Sequence, residues 1–178
     1  MARVVVVPFD LEHRPGVLRV LKRQLQRRLG LHAELGEASD ELRACFSPAR
    51  KQYDAMALLT QLATLGGSQR VLGVTDVDLF LSVFTHVLGA AQLDGTAAVV
   101  SLHRLRPETV GLPPDPALLE ERLVKEAVHE LGHSFGLRHC HNPACAMFAA
   151  NNPDEVDLKG AEFRGECLNM FHRLRRSL

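Results

Sequence analysis

The chain of 178 residues balances 21 basic against 21 acidic side chains, so a nucleic-acid partner, which calls for a basic surface, is not expected. Its residues are 46% hydrophobic, enough to bury a substantial core in one domain, yet no apolar run reaches the length of a membrane span. Tryptophan is absent and Tyr53 is the only tyrosine, which leaves no aromatic platform for stacking bases.

Apolar residues then alternate between strand and helix periods along the chain. Arg3–Pro8 holds an unbroken valine run and reads as a strand covered on both faces. The same opening, MARVVVVPFD, is too short for a secretory leader, so reduced cysteines and a cytoplasmic setting are expected. Val17, Val20, Leu21, Leu25 and Leu29 recur at helical spacing, and Gly30 stops that helix. His32–Ala38 fits a short second strand. Ser47-Pro48 is predicted to open a second helix that carries Met56, Leu59, Leu62 and Leu65 inward and ends at Gly66-Gly67. Arg70–Val74, Thr85–Leu88 and Ala97–Leu102 read as further strands. Asp115-Pro116 caps and starts a long helix with Leu119, Leu123, Val124 and Ala127 on its buried side. This alternation implies a parallel sheet with helices packed against it. The helices after Asn152 form a small C-terminal part ending on Arg173, Arg175 and Arg176, a basic cluster that suits a solvated helix end. Residues 1–178 thus read as one domain, divided near residue 136.

Residues 129–140, HELGHSFGLRHC, carry the chemistry. His129 and His133 sit one helical turn apart on the same face, so both imidazoles can reach one metal ion. Gly136 can take a positive φ and turn the chain away from the helix, which brings His139 back from a third direction. Three neutral imidazoles with an open fourth position form the ligand set of a catalytic zinc. Glu130, directly after the first ligand, is placed to take a proton from zinc-bound water. Two surface histidines on a helix and a third in a loop would give the same composition. A bare HExxH is weak evidence against that reading, but the added glycine and histidine at fixed offsets lower the chance frequency by about one in several hundred.

The extended string HExxHxxGxxHCxxxxCxM, completed by Cys140, Cys145 and Met147, resembles the archaemetzincin family of metzincin zinc proteases. The stretches ARKQYDAMALL (49–59), RVLGVTDVDLF (70–80) and VDLKGAEF (156–163) resemble it too, so the likeness covers most of the chain. It implies an α/β fold with a mixed, mostly parallel five-stranded twisted sheet. One antiparallel edge strand, here His86–Ala91 (HVLGAA), would lie above the cleft, and the active-site helix and a small helical C-terminal part would complete the fold. An exposed edge strand can hold an extended peptide by strand addition, which points to peptide or protein substrates. His86 then stands at the cleft rim or the surface, not among the ligands. Met147 would form a packing floor beneath the three histidines.

The resemblance also implies a second, structural zinc on four cysteines. Cys140, Cys145 and Cys167 match three of them, and Arg164 stands where the family has the fourth. His141, His172, Cys45 or a water could fill that position, or the site is weakened or empty. Arg164 could also offset the excess negative charge of three thiolates by hydrogen-bonding a sulfur from outside the ligand set. Cys45 by itself reads as a packed thiol, and Tyr53, placed in a helix, as a structural hydrogen-bond donor.

The sequence therefore reads as a zinc metallopeptidase, monomeric, with no nucleic-acid or membrane partner. Zinc sits on His129, His133 and His139, and Glu130 is general base and then general acid. Because the chain opens on its first strand, latency through a pro-segment cysteine is not expected. The alternative is a zinc-bound peptide-binding module with little catalysis, against which an intact Glu130 counts; another zinc-hydrolase chemistry could use the same water.

Overall fold

In the computed structural model, which describes residues 2–11, 15–37 and 40–176, the valine run forms β1 (Arg3–Phe9). Then come α1 (Pro15–Leu29), β2 (His32–Leu35), β3 (Phe46–Ser47), β4 (Gln52–Asp54) and α2 (Ala55–Gly66). β5 (Arg70–Thr75), β6 (Leu79–Leu81), β7 (Phe84–Val87), β8 (Gly89–Ala91) and β9 (Ala97–Ser101) lead into α3 (Pro116–Ser134). Two helices follow, α4 (Pro153–Leu158) and α5 (Gly165–Arg176).

Five strands build the main sheet in the order β2-β1-β5-β9-β8. β2, β1, β5 and β9 are parallel, and β8 closes the edge antiparallel to β9. Burial on both faces explains why β1 is apolar from Val4 to Phe9. Val4 and Val6 pack with α1 and α3 on one face, while Val7 and Phe9 pack with α2 on the other. Leu21 and Leu25 of α1 are fully buried, each stabilising the fold by about 1.5–3 kcal/mol relative to exposure. Phe135, at the end of α3, joins Phe163 and Phe171 in one aromatic cluster, with ring centroids 5.0 and 4.9 Å apart along the chain of contacts. The C-terminal part is thereby fused to the larger core. Arg122, 1% exposed, adds a bidentate pair with Asp157 at 2.7 and 2.6 Å and a bond to Leu105 O at 2.8 Å. Among the described residues no helix is long and apolar enough to cross a membrane.

The structure departs from the sequence reading in five places. Ser47-Pro48 opens no helix; Ser47 ends β3, a turn follows, and α2 starts at Ala55. Asp54 is its N-cap, accepting from the N–H groups of Met56 and Ala57 at 2.9 and 3.3 Å. Leu59 and Leu62 are buried as expected, but Met56 is 57% exposed and Leu65 40% exposed. A helix that starts at residue 55 packs one stripe on the sheet and turns those two away. Tyr53 consequently lies in a strand, not a helix. The edge strand is confined to Gly89–Ala91, because Phe84–Val87 pairs elsewhere, in a second sheet of order β3-β4-β6-β7. The predicted second strand ends at Leu35, and Ala38 lies outside the described residues.

If α2 begins at Ala55, Asp54→Ala should destabilise the protein by about 0.5–2 kcal/mol in urea denaturation. Pro48→Ala should shift the midpoint little, whereas the reverse order would restore the earlier helix start.

Candidate metal centre

α3 reaches its last turns carrying His129, Glu130 and His133. The helix is buried along this stretch because it crosses beneath β8 and β9. Gly136 takes φ +96°, a conformation a β-carbon resists. Its N–H donates to His133 O at 2.8 Å, and the Leu137 N–H donates to Gly132 O at 2.9 Å. These bonds satisfy carbonyls at the helix end and reverse the chain. His139 returns against the helical pair as the spacing predicts. The Nε2 atoms of His129 and His133 lie 3.1 Å apart, those of His133 and His139 3.2 Å, and those of His129 and His139 3.3 Å.

Two backbone carbonyls fix this arrangement. His129 Nδ1 lies 2.7 Å from Ala146 O, and His133 Nδ1 lies 2.8 Å from Leu137 O. A carbonyl can only accept, so both Nδ1 atoms carry the proton and both Nε2 atoms present lone pairs. Lone pairs brought this close repel one another unless a cation lies between them. Two nitrogens each about 2.0–2.1 Å from a tetrahedral zinc are roughly 3.3–3.4 Å apart, which the observed spacings approach. The donor set therefore fits a zinc ion. Burial pushes the pKa of His129 well below its ordinary value, with Lys159 adding to the effect, and burial also lowers His133 and His139. Each shift favours the neutral form that ligates metals.

Glu130 is 5% exposed. Burial pushes its carboxyl well above the usual range, Glu126 adds to this, and Lys159 opposes it. Glu126 lies one turn back on α3 in an ion pair with Lys159, and both side chains are buried. Neither residue stood out in the sequence, although Lys159 falls inside VDLKGAEF.

The histidines, Glu130 and Glu126 line a cleft of about 710 Å³. Its rim is Phe84–Ala91 together with Met56, Leu59 and Leu81, and Ala150, Asn151 and Asn152 form another wall. His86 stands on that rim, away from the three-histidine group. The register of β8 shows which backbone groups face the cleft. Ser101 N–H donates to Leu88 O at 2.9 Å and Gln92 N–H to Ala97 O at 2.9 Å, so Leu88 and Gln92 turn their backbone toward β9. By strand alternation, Gly89 and Ala91 turn theirs to the free edge.

The sulfurs of Cys140, Cys145 and Cys167 lie within 4.8 Å of one another, and among the described residues no histidine or fourth cysteine joins them. Backbone N–H groups of Met147 and Arg164 point at Cys145 Sγ at 3.5 and 3.3 Å. Arg164 thus reaches the cluster through its main chain, while its guanidinium pairs with Glu162 at 3.4 Å. Burial pushes the Cys167 thiol up to about 12, and the neighbouring Cys145 and Cys140 push in the same direction. Three mutually repelling sulfurs with aligned N–H donors fit a soft cation. The Cys145 loop is held by Ala146 N–H to Glu162 O at 2.9 Å and Gly160 N–H to Pro143 O at 3.0 Å. Met147 is fully buried with its sulfur against Gly132, and Cys45 is a buried packed thiol. Tyr53 donates to Asp10 at 3.0 Å, a structural hydrogen bond.

Residues 31–173 match peptidase family M54. The chain is 38% identical over 152 residues to the archaemetzincin of Methanocaldococcus jannaschii, covering 85% of this chain and 83% of that one. Its fold superposes on the crystal structure of archaemetzincin from Methanopyrus kandleri with a TM-score of 0.86, at 35% identity, over 98% of this chain and 96% of that one. A zinc-dependent peptidase from Methanocorpusculum labreanum superposes with a TM-score of 0.84 at 30% identity, over 94% and 99%.

A β-carbon on Gly160 would stand 2.0 Å from Ala144 O, a backbone atom that cannot swing aside. Gly160→Ala should therefore cost about 1–3 kcal/mol in urea denaturation by prising the Cys145 loop from residues 160–164. An unchanged midpoint would mean that this contact does not hold the loop.

Proposed function

The chain belongs to peptidase family M54, and from that membership we propose how this zinc metallopeptidase works: His129, His133 and His139 hold the metal, and Glu130 is the proton carrier for peptide hydrolysis. The observation that carries the reading is the convergence of three Nε2 atoms within 3.3 Å of one another, beside a buried carboxylate that lines the same cleft. Bound by these three histidines, a zinc ion would supply a water acidified toward neutrality and a Lewis acid for the scissile carbonyl. Glu130 takes the proton from the attacking water and returns it to the leaving amine. The outward N–H and C=O groups of Gly89 and Ala91 hold the substrate backbone as an added strand, which orients the scissile bond over Glu130. Ala146 O and Leu137 O keep the two helical imidazoles aimed while the chemistry proceeds. Cys140, Cys145 and Cys167 hold a second zinc, which ties the loop after His139 to α5.

Glu130→Ala should keep the metal of the histidine site and lose cleavage of a peptide library by about two to four orders of magnitude. His133→Ala should lose that metal altogether, as read by native mass spectrometry. A Glu130→Ala protein that cuts as fast as the parent contradicts the proton-carrier role. A metal-replete parent that cuts no library peptide favours the binding-module reading.

For the cysteine cluster, native protein should carry two zinc ions, and Cys145→Ser should lose one with a lower thermal midpoint. Arg164→Ala should keep both, because the residue serves the cluster through its N–H. One zinc in metal-replete parent protein would remove the second site and leave the first standing.

A further inference from the structure

Gly89 occupies a position where the chain has no room for a side chain. A β-carbon built there would lie 2.8 Å from Glu130 Cγ, 2.8 Å from Glu130 Oε1 and 2.8 Å from Val99 O. Real β-carbon contacts are several tenths of an ångström longer, so something would have to move. Val99 is paired in the middle of the sheet between β5 and β8, and its carbonyl is fixed. The Glu130 side chain is the part that can give way. A glycine inside a strand commonly marks such a close approach, here between the edge strand and the buried carboxylate. The register adds that the N–H and C=O of this same residue face the free edge of β8.

We infer that Gly89 is a positioning residue that sets Glu130 and the substrate strand in register. Its missing side chain seats the carboxylate, and its backbone receives the peptide. One residue thus measures the distance between the proton carrier and the bond to be cut. The inference rests on the peptidase reading of the cleft, but the seating of Glu130 can be tested apart from it. A residue with a side chain at position 89 would push Glu130 by roughly an ångström, a displacement worth about 100-fold in rate when it separates reacting groups. None of the three histidines is among the nearest contacts of the added carbon.

The experiment is a double-mutant cycle with Gly89→Ala and Glu130→Ala. Gly89→Ala should bind zinc as the parent does and lower kcat by about 100-fold or more, with KM changed far less than kcat. The fall in thermal midpoint caused by Gly89→Ala should be clearly smaller in the Glu130→Ala background, where Cγ and Oε1 are gone. Parental kcat in Gly89→Ala, or an equal fall in midpoint in both backgrounds, overturns the inference. If Gly89→Ala alone does not fold, the double variant should fold, and its failure would place the obstruction at Val99 instead. Should the parent cleave no peptide, the catalytic reading fails, yet the midpoint comparison still decides whether Glu130 rests on Gly89.

Discussion

The hydrogen bond between His129 Nδ1 and Ala146 O, at 2.7 Å, joins the two parts of the molecule at the point where their chemistry meets. His129 belongs to a helix packed under the sheet, and Ala146 to the loop that returns beneath it. The bond sets the tautomer of one imidazole, so it also dictates that the opposite nitrogen points into the cleft. His133 repeats the device with Leu137 O, an acceptor available only because Gly136 reverses the chain. The loop that supplies both acceptors must itself be rigid. Cys140 N–H donates to Met147 O at 3.1 Å, and the Gly160 and Glu162 contacts brace the same loop from below. The cysteine cluster lies at the far side of this bracing, so the aim of the histidines depends on how well the C-terminal part is packed.

Charge is arranged around the same axis. Lys159, in the segment that braces the loop, is fully buried against Glu126 of α3. Breaking either partner would leave an uncompensated buried charge within a turn of the histidines, which is strongly destabilising. The pair belongs to the join between the two parts: Arg122 and Lys125 also reach across it, to Asp157. The helix that carries the site is therefore fastened on its polar side by ions and on its apolar side by Phe135, Phe163 and Phe171.

Much of the site was legible in the sequence because its information is local. Helix periodicity places His129 and His133 together, and a glycine able to take positive φ returns His139 six residues later. The parallel sheet was legible for a similar reason, since strands buried on both faces read as continuous apolar runs. The second sheet was not, because β3, β4 and β6 are two or three residues long and owe their existence to partners far along the chain. The same long-range pairing took His86 and Val87 away from the edge strand. It also moved the start of α2, since a Ser-Pro pair is a helix signal that a strand partner can override. Arg164 shows the converse limit: a side chain can look wrong for a metal cluster while its main-chain N–H is in place. Gly89 carried a readable signal, a glycine inside a strand, but only the fold reveals that Glu130 is what it accommodates.

The central claim is that the three Nε2 atoms converge on one cation because carbonyls hold the Nδ1 protons of the helical pair. Anomalous scattering at the zinc edge from crystals of metal-replete protein tests it most directly. The account predicts a peak about 2.0–2.1 Å from the Nε2 atoms of His129, His133 and His139, with the Nδ1 atoms of His129 and His133 still on their carbonyls. A replete crystal with no peak at that point, or with zinc bound through Nδ1, would contradict it.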